Sequence, residues 1–373
     1  MNFDFSEEQT LLREQARRFL DEKGSLASAR TVLEGDAPFD RAMWNEMAKL
    51  GWMGTAIPEA YGGLGLSQED LCVLAEELGR ALAPTPFSSS IYLAAEAILL
   101  AGSEEQKQRT LPGLASGERI GCLAVAEGVK RAAPASVTVS AANGRLEGEK
   151  HPVADGDVAD LAVVLARTGS GDRDLSLFLV DLAQDGVSRQ TLDTVDPSRS
   201  HAKLKFSGAE AEPLGPAGEG WDLVERLFDR AAVLFAFEQL GGAQACLEMA
   251  TDYAKTRYAF GRPIGSFQAI KHKLADMYIA VELARSNAYY GAWALASGSA
   301  ELPVAAAAAR VAATEAFEVA AQENIQTHGG MGFTWELDCH LYHRRATVLA
   351  LAVGGLRRWK EKLIGHLELR NVA

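Results

Sequence analysis

The chain has 373 residues, enough for two or three domains with sizeable cores. A net charge of −13 at pH 7 excludes a broad nucleic-acid face, which needs basic surface, although one local arginine can still serve an anionic ligand. Four scattered cysteines (Cys72, Cys122, Cys246, Cys339) have no ligand spacing, so buried thiols in a reducing cytoplasm are expected, with no metal site.

The acidic opening MNFDFSEEQT is unlike a signal peptide, and no apolar run reaches the roughly 18 uncharged residues of a membrane span. Residues 1–120 read as a helical domain. Ser6 with Gln9 forms a capping-box pattern, Leu12, Ala16, Phe19 and Leu20 share a face, and Gly24 ends the helix. A second helix is expected over Phe39–Leu50, followed by the glycine-rich turn Pro58–Ser67. Ser67 with Asp70 caps the next helix, which runs to the break at Pro84 and Pro86. Ser103 with Gln106 repeats the device, and Leu111-Pro112 closes the domain.

Between residues 121 and 217 the period falls to two, which implies a small β-barrel or sandwich. Asn143-Gly144 marks a hairpin turn, and Leu161–Ala166 and Leu175–Val180 are short apolar strands. In His201–Ser207, Ala202, Leu204 and Phe206 lie on one face. From residue 218 to 373 long helices return, at Trp221–Tyr258, Gln268–Ser297 and Pro303–Thr327, with a shorter pair after Gly329-Gly330. The whole is an α+β chain: a helical N-terminal domain, a middle β-domain and a C-terminal four-helix bundle.

Within the bundle, the stretch Tyr253–His272 places Arg257, Phe260 and Gln268 around a tight turn. A guanidinium, an aromatic and an amide so arranged can grip a nucleotide. The same residues also suit a plain helix hairpin with a polar cap.

Five segments in order resemble the acyl-CoA dehydrogenase family: FSEEQTLLREQARRFL, LGWMGTAIPEAYGGLGLSQEDLCVLAEELGRALAPTPF, GSEEQKQRTLPGLASGE, RYAFGRPIGSFQAIKHKLADM and IQTHGGMGFTWE. The resemblance implies a flavoprotein in which a carboxylate takes the α-proton of an acyl-CoA thioester while the flavin takes a hydride from the β-carbon. It further implies FAD whose ADP half is held by a neighbouring subunit. By position, Arg257 matches the pyrophosphate arginine, Phe260 and Gln268 its companions, and Gln326, Gly329 and Gly330 the adenosine-binding Gln-x-x-Gly-Gly.

Other family positions are altered. Ala126-Glu127-Gly128-Val129-Lys130-Arg131-Ala132-Ala133 stands where the family has a Thr-Glu-Pro-Gly-x-Gly-Ser-Asp loop at the flavin ring. Pro152-Val153-Ala154 replaces Trp-x-Thr. The two family base positions hold Val353 and Ala231, and Ala232 replaces an arginine that meets CoA. No catalytic residue is therefore expected at the family positions, and Glu238 is the alternative acid. His328, His340 and His343 are read as turn and surface residues, and Asp229 and Glu225 as solvent-facing.

These losses resemble the non-catalytic subunit of heteromeric α2β2 enzymes that act on steroid side-chain CoA thioesters. The resemblance implies a second acyl-CoA dehydrogenase-like subunit carrying the base, an electron-transfer flavoprotein as acceptor, and a cytoplasmic site. A homo-oligomeric flavoenzyme with its base relocated to Glu238, or a structural subunit without flavin, are the alternatives.

Overall fold

Side-chain caps start the helices where local chemistry provides them. The computed structural model describes residues 5–129 and 132–372, with side chains to Leu369; Lys130 and Arg131 of the altered ring loop lie outside the described residues. Helix α1 spans Glu7–Glu22, and Ser6 and Gln9 close the expected capping box. Gly24, with φ of +64°, ends it in the left-handed conformation. The remaining helices of the first half are α2 (Ser25–Glu34), α3 (Arg41–Lys49), α4 (Gln68–Arg80), α5 (Glu96–Ala101) and α6 (Glu104–Ala115). Asp40 caps α3 by accepting from the Met43 amide, and Ser103 with Gln106 boxes α6. Two of these differ from expectation. Helix α2 follows α1 after only Lys23 and Gly24, and α6 continues through Pro112 instead of closing there.

The strands are β1 (Gly121–Ala124), β2 (Ser140–Ala142), β3 (Arg145–Ala154), β4 (Leu161–Arg167), β5 (Leu175–Asp181), β6 (Val187–Thr191), β7 (His201–Glu210) and β8 (Glu212–Leu214). They form one sheet in the order β6-β7-β3-β2-β4-β5-β8, with β1 alongside β4. Asn143 and Gly144, both at positive φ, make the β2–β3 turn. In β7 the alternation holds, with Ala202, Leu204 and Phe206 buried. Parallel pairing of β1 and β2 with β4 makes the sheet mixed.

Helix α7 runs Gly220–Thr256, and a two-residue hairpin follows, β9 (Tyr258–Ala259) and β10 (Arg262–Pro263). Then come α8 (Gln268–Ala296), α9 (Leu302–His328), α10 (Cys339–Leu349) and α11 (Leu356–Val372). The element order is the expected one: helical N- and C-terminal parts with a middle sheet. Two compact units divide the chain: Met1–Thr31, Gln68–Ala83 and Ala232–Ala373 form one, Val32–Ser67 and Pro84–Ala231 the other. No helix is long and apolar enough to cross a membrane among the described residues.

In the sheet unit, a buried polar network ties a π-helical segment, Ser88–Ala95, to the strands. Ser89 donates to Asp155 at 2.6 Å, while Arg199 donates to Ser88 and lies 3.3 Å from Asp155. In the helical unit, α4 and α7 cross with their backbones in contact. A Cβ on Gly79 would meet the Glu238 carbonyl oxygen at 1.8 Å, and one on Gly241 would meet the Glu76 oxygen at 1.8 Å. Glu76 is salt-bridged to Arg13 and Arg285, and Glu77 takes both donors of Arg17.

Candidate cofactor-binding site

The grip residues gather at one end of the helical unit. Arg257 follows the last residue of α7; its amide donates to the Tyr253 carbonyl and its carbonyl accepts from Ile264, which closes the β9–β10 hairpin. Phe260 sits in the turn of that hairpin at φ of +53°, with 95% of its surface exposed. Its ring stands edge-on to Phe267, and Arg262 lies 4.0 Å over the same Phe267 ring. Gln268 opens α8 and is exposed.

Gln326, Gly329 and Gly330 close α9. A Cβ on either glycine meets nothing within 4 Å, so backbone faces open space there. Tyr253 stacks on His328 with ring centroids 4.2 Å apart. That stack joins the end of α7, one turn before Arg257, to the end of α9, one residue before Gly329. His328 sits at the end of α9, buried, with its Nδ1 2.8 Å from the Asn324 carbonyl, so the expectation of a surface position is corrected. Tyr253 was legible only as the aromatic one helical turn ahead of Arg257. Arg257 is exposed and has no ion pair or side-chain hydrogen bond among the described residues. Gln268 and Gln326 have none either. A cavity of about 340 Å³ lies beside the hairpin, with Lys255 and Lys271 in its lining. An unpaired guanidinium, an exposed aromatic, two free amides and a bare backbone fit the diphosphate and adenosine of a nucleotide.

The counterpart of the ring loop lies in the sheet unit. Ala126 and His151 pair through their backbones, with the His151 amide donating to the Ala126 carbonyl at 2.9 Å and Gly128 donating to the His151 carbonyl at 2.7 Å. Positions 126 and 152–154 carry no hydroxyl, and Val153 is fully buried. These residues offer a flavin ring no side-chain hydrogen bond, so they do not fit that part of the cofactor.

Beneath the loop, Lys150 is fully buried and donates to Glu127 at 2.6 Å and to the Val125 carbonyl. Burial pulls Lys150 down to about 8, against the attraction of Glu127. Burial also works to raise Glu127, but Lys150 and donors from Thr138 and Val139 outweigh it and hold the carboxyl below its usual range. Between pH 8 and 10.5 the unfolded chain keeps a proton on Lys150 that the native chain has lost, so this lysine makes stability rise with pH there. The slope from this group is at most about 1.4 kcal/mol per pH unit. Lys150→Met is expected to remove that rise, measured as the difference in urea midpoint between pH 8 and pH 10. The Glu127 contribution runs the other way: it is complete above the unfolded carboxyl range and fades as pH falls through its lowered value.

The base positions are apolar, as the sequence requires. Ala231 and Ala232 are fully buried on α7. Val353 lies in the turn between α10 and α11 at φ of +50°. Glu238 is buried on α7, and its negative charge bears on Arg310. Asp229 is buried as well, so its assignment as solvent-facing is corrected: it lies among the apolar residues of α7. Among the described residues no cluster of three or more His, Cys, Asp or Glu could hold a metal.

Helical N- and C-terminal parts with a middle sheet between them in the chain define the acyl-CoA dehydrogenase fold. The N-terminal domain of acyl-CoA dehydrogenases matches residues 6–118 and their C-terminal domain residues 218–356. The chain belongs to the acyl-CoA dehydrogenase family. The acyl-CoA dehydrogenase IpdE2 of Mycobacterium tuberculosis is 36% identical over 91% of both chains. Among solved structures, a chain of the ChsE4–ChsE5 complex from Mycobacterium tuberculosis superposes with a TM-score of 0.89 at 29% identity, covering 99% of each chain. A chain of the Tcur3481–Tcur3483 steroid ACAD superposes with a TM-score of 0.88 at 31% identity, covering 98% of this chain and 99% of that one. The likeness to steroid-type heteromeric members thus extends over nearly the full length.

Proposed function

We propose that this chain is the non-catalytic subunit of a heteromeric, FAD-dependent acyl-CoA dehydrogenase. It holds the ADP half of FAD for a partner subunit that carries the ring pocket and the base. The observation that carries this is Arg257: exposed, unpaired, and linked through the Tyr253–His328 stack to the open Gly329-Gly330 backbone. In this reading Arg257 takes the pyrophosphate, Phe260 and Gln268 flank it, and Gln326, Gly329 and Gly330 receive the adenosine. The bound flavin supplies the hydride acceptor. Because Val353 and Ala231 cannot accept a proton, the α-proton of the substrate goes to a carboxylate of the partner. The two relatives named for a complex and for steroid chemistry support a partner subunit and a steroid side-chain CoA thioester as substrate. Electron-transfer flavoprotein is the acceptor in this reading, and the cytoplasm its location. Glu238, buried beside Arg310, serves as a structural acid.

The test is expression of this chain alone and together with the acyl-CoA dehydrogenase-like chain encoded beside it. Alone it is expected to show no turnover of an acyl-CoA. Together, the two are expected to form a two-plus-two complex holding half the flavin of a homotetramer. Full flavin occupancy and turnover by this chain alone would sink the proposal.

A further inference from the structure

Arg310 on α9 is fully buried, and two of the hydrogen bonds of its guanidinium go to one turn. Its Nη2 donates to the carbonyls of Leu349 and Ala352, the second at 2.9 Å. Its Nη1 donates to the Gln239 side-chain oxygen, which also accepts from Thr314 at 3.2 Å. The Phe235 ring closes over the group at 5.7 Å. Leu349 is the last residue of α10, and its carbonyl, past the end of the helical ladder, accepts from the Ala352 amide at 3.2 Å as well as from Arg310. A buried cation at a helix C-terminus meets both the orphan carbonyls and the helix dipole.

The turn so held is strained. Val353 sits at φ of +50°, a conformation that β-branched residues avoid. Gly354 follows at φ of +104°, and its carbonyl accepts from the Trp359 indole at 3.1 Å. Such strain persists only where surrounding contacts over-determine it. Here the contacts are the guanidinium on one side and the Trp359 indole on the other. The negative charge of Glu238 favours the charged guanidinium against burial.

We infer that Arg310 is the positioning residue of the 349–355 turn, capping α10 from within and holding Val353 in its left-handed conformation. The inference uses contacts of the helical unit alone and stands apart from any flavin or partner. Its consequence is that this turn, which carries valine where relatives carry a base, is preorganised by the core and not by a ligand.

Hydrogen exchange on the purified chain tests it. The amides of Leu351, Ala352 and Gly354 donate to the carbonyls of Val348, Leu349 and Leu351. Arg310→Met is expected to speed their exchange at least about tenfold relative to the amides of α1. In a Val353→Gly background, where glycine takes the left-handed conformation at no steric cost, the same substitution is expected to change them less than about threefold. If Arg310→Met does not fold, Arg310→Lys gives the same pattern at lower amplitude, since one ammonium cannot reproduce the fork. The inference is overturned if the three turn amides are unaffected, if all amides speed up equally, or if the Val353→Gly background leaves the effect unchanged.

Discussion

Gly241→Ala and Gly79→Ala are each expected to cost about 4 kcal/mol or more, enough to deplete the folded protein. Most over-packing is relieved when a flexible side chain moves aside. Neither site offers that escape, because the atom 1.8 Å from the new methyl is a main-chain carbonyl oxygen of the crossing helix. The two sites are reciprocal: Gly79 of α4 faces Glu238 of α7, and Gly241 of α7 faces Glu76 of α4. Relief requires the helices to separate. Separation would also pull Glu76 from Arg13 and Arg285, and Glu77 from Arg17. Those carboxylates are buried, so stretching the pairs leaves charge uncompensated. Gly365→Ala is the control. That glycine lies inside α11 with nothing near a new Cβ, so alanine there should stabilise by up to about 1 kcal/mol. Thermal midpoints of the three variants check the argument, and an unchanged midpoint for Gly241→Ala would mean the crossing can open without loss.

What was legible in the sequence is what short-range rules govern. The capping boxes at Ser6 and Ser103, the Asn143-Gly144 turn and the alternation in β7 each depend on residues within a few positions. Helix α2 escaped because only Lys23 and Gly24, not a longer linker, separate it from α1. Pro112 reads as a stop, yet α6 keeps a helical backbone through it. The parallel pairing of β1 and β2 with β4 joins residues about 27 to 40 apart in the chain, beyond the reach of any periodicity. Gly79 and Gly241 look like helix-weakening residues until the opposing backbone is seen. The residues proposed to grip the nucleotide come from family resemblance. The Tyr253–His328 stack that joins their two halves was not legible, because it pairs residues 75 apart in the chain. Likewise Arg310 reads as an ordinary charged position in an alanine-rich helix, although the fold buries it completely beneath the Val353 turn.

Arg257→Ala is expected to strip flavin from the assembled complex while leaving this chain folded. The argument separates binding from stability through the environment of the side chain. Arg257 is exposed and makes no ion pair or side-chain hydrogen bond among the described residues, so its removal breaks nothing inside the chain. The backbone that shapes the hairpin is unaffected, because the bonds to Tyr253 and Ile264 are main-chain bonds. What is lost is a charge-assisted, two-pronged contact with a diphosphate, about 2 kcal/mol, or roughly thirtyfold in affinity. Arg257→Lys keeps the charge but not the fork and should fall between the two. The readout is FAD titration of the purified complex by absorbance, with circular dichroism of this chain as the stability control. Undiminished FAD affinity in Arg257→Ala would place the pyrophosphate elsewhere and leave the hairpin a plain helix connection. Reduced affinity with an unchanged fold is the result that a nucleotide grip on the exposed end of α7 requires.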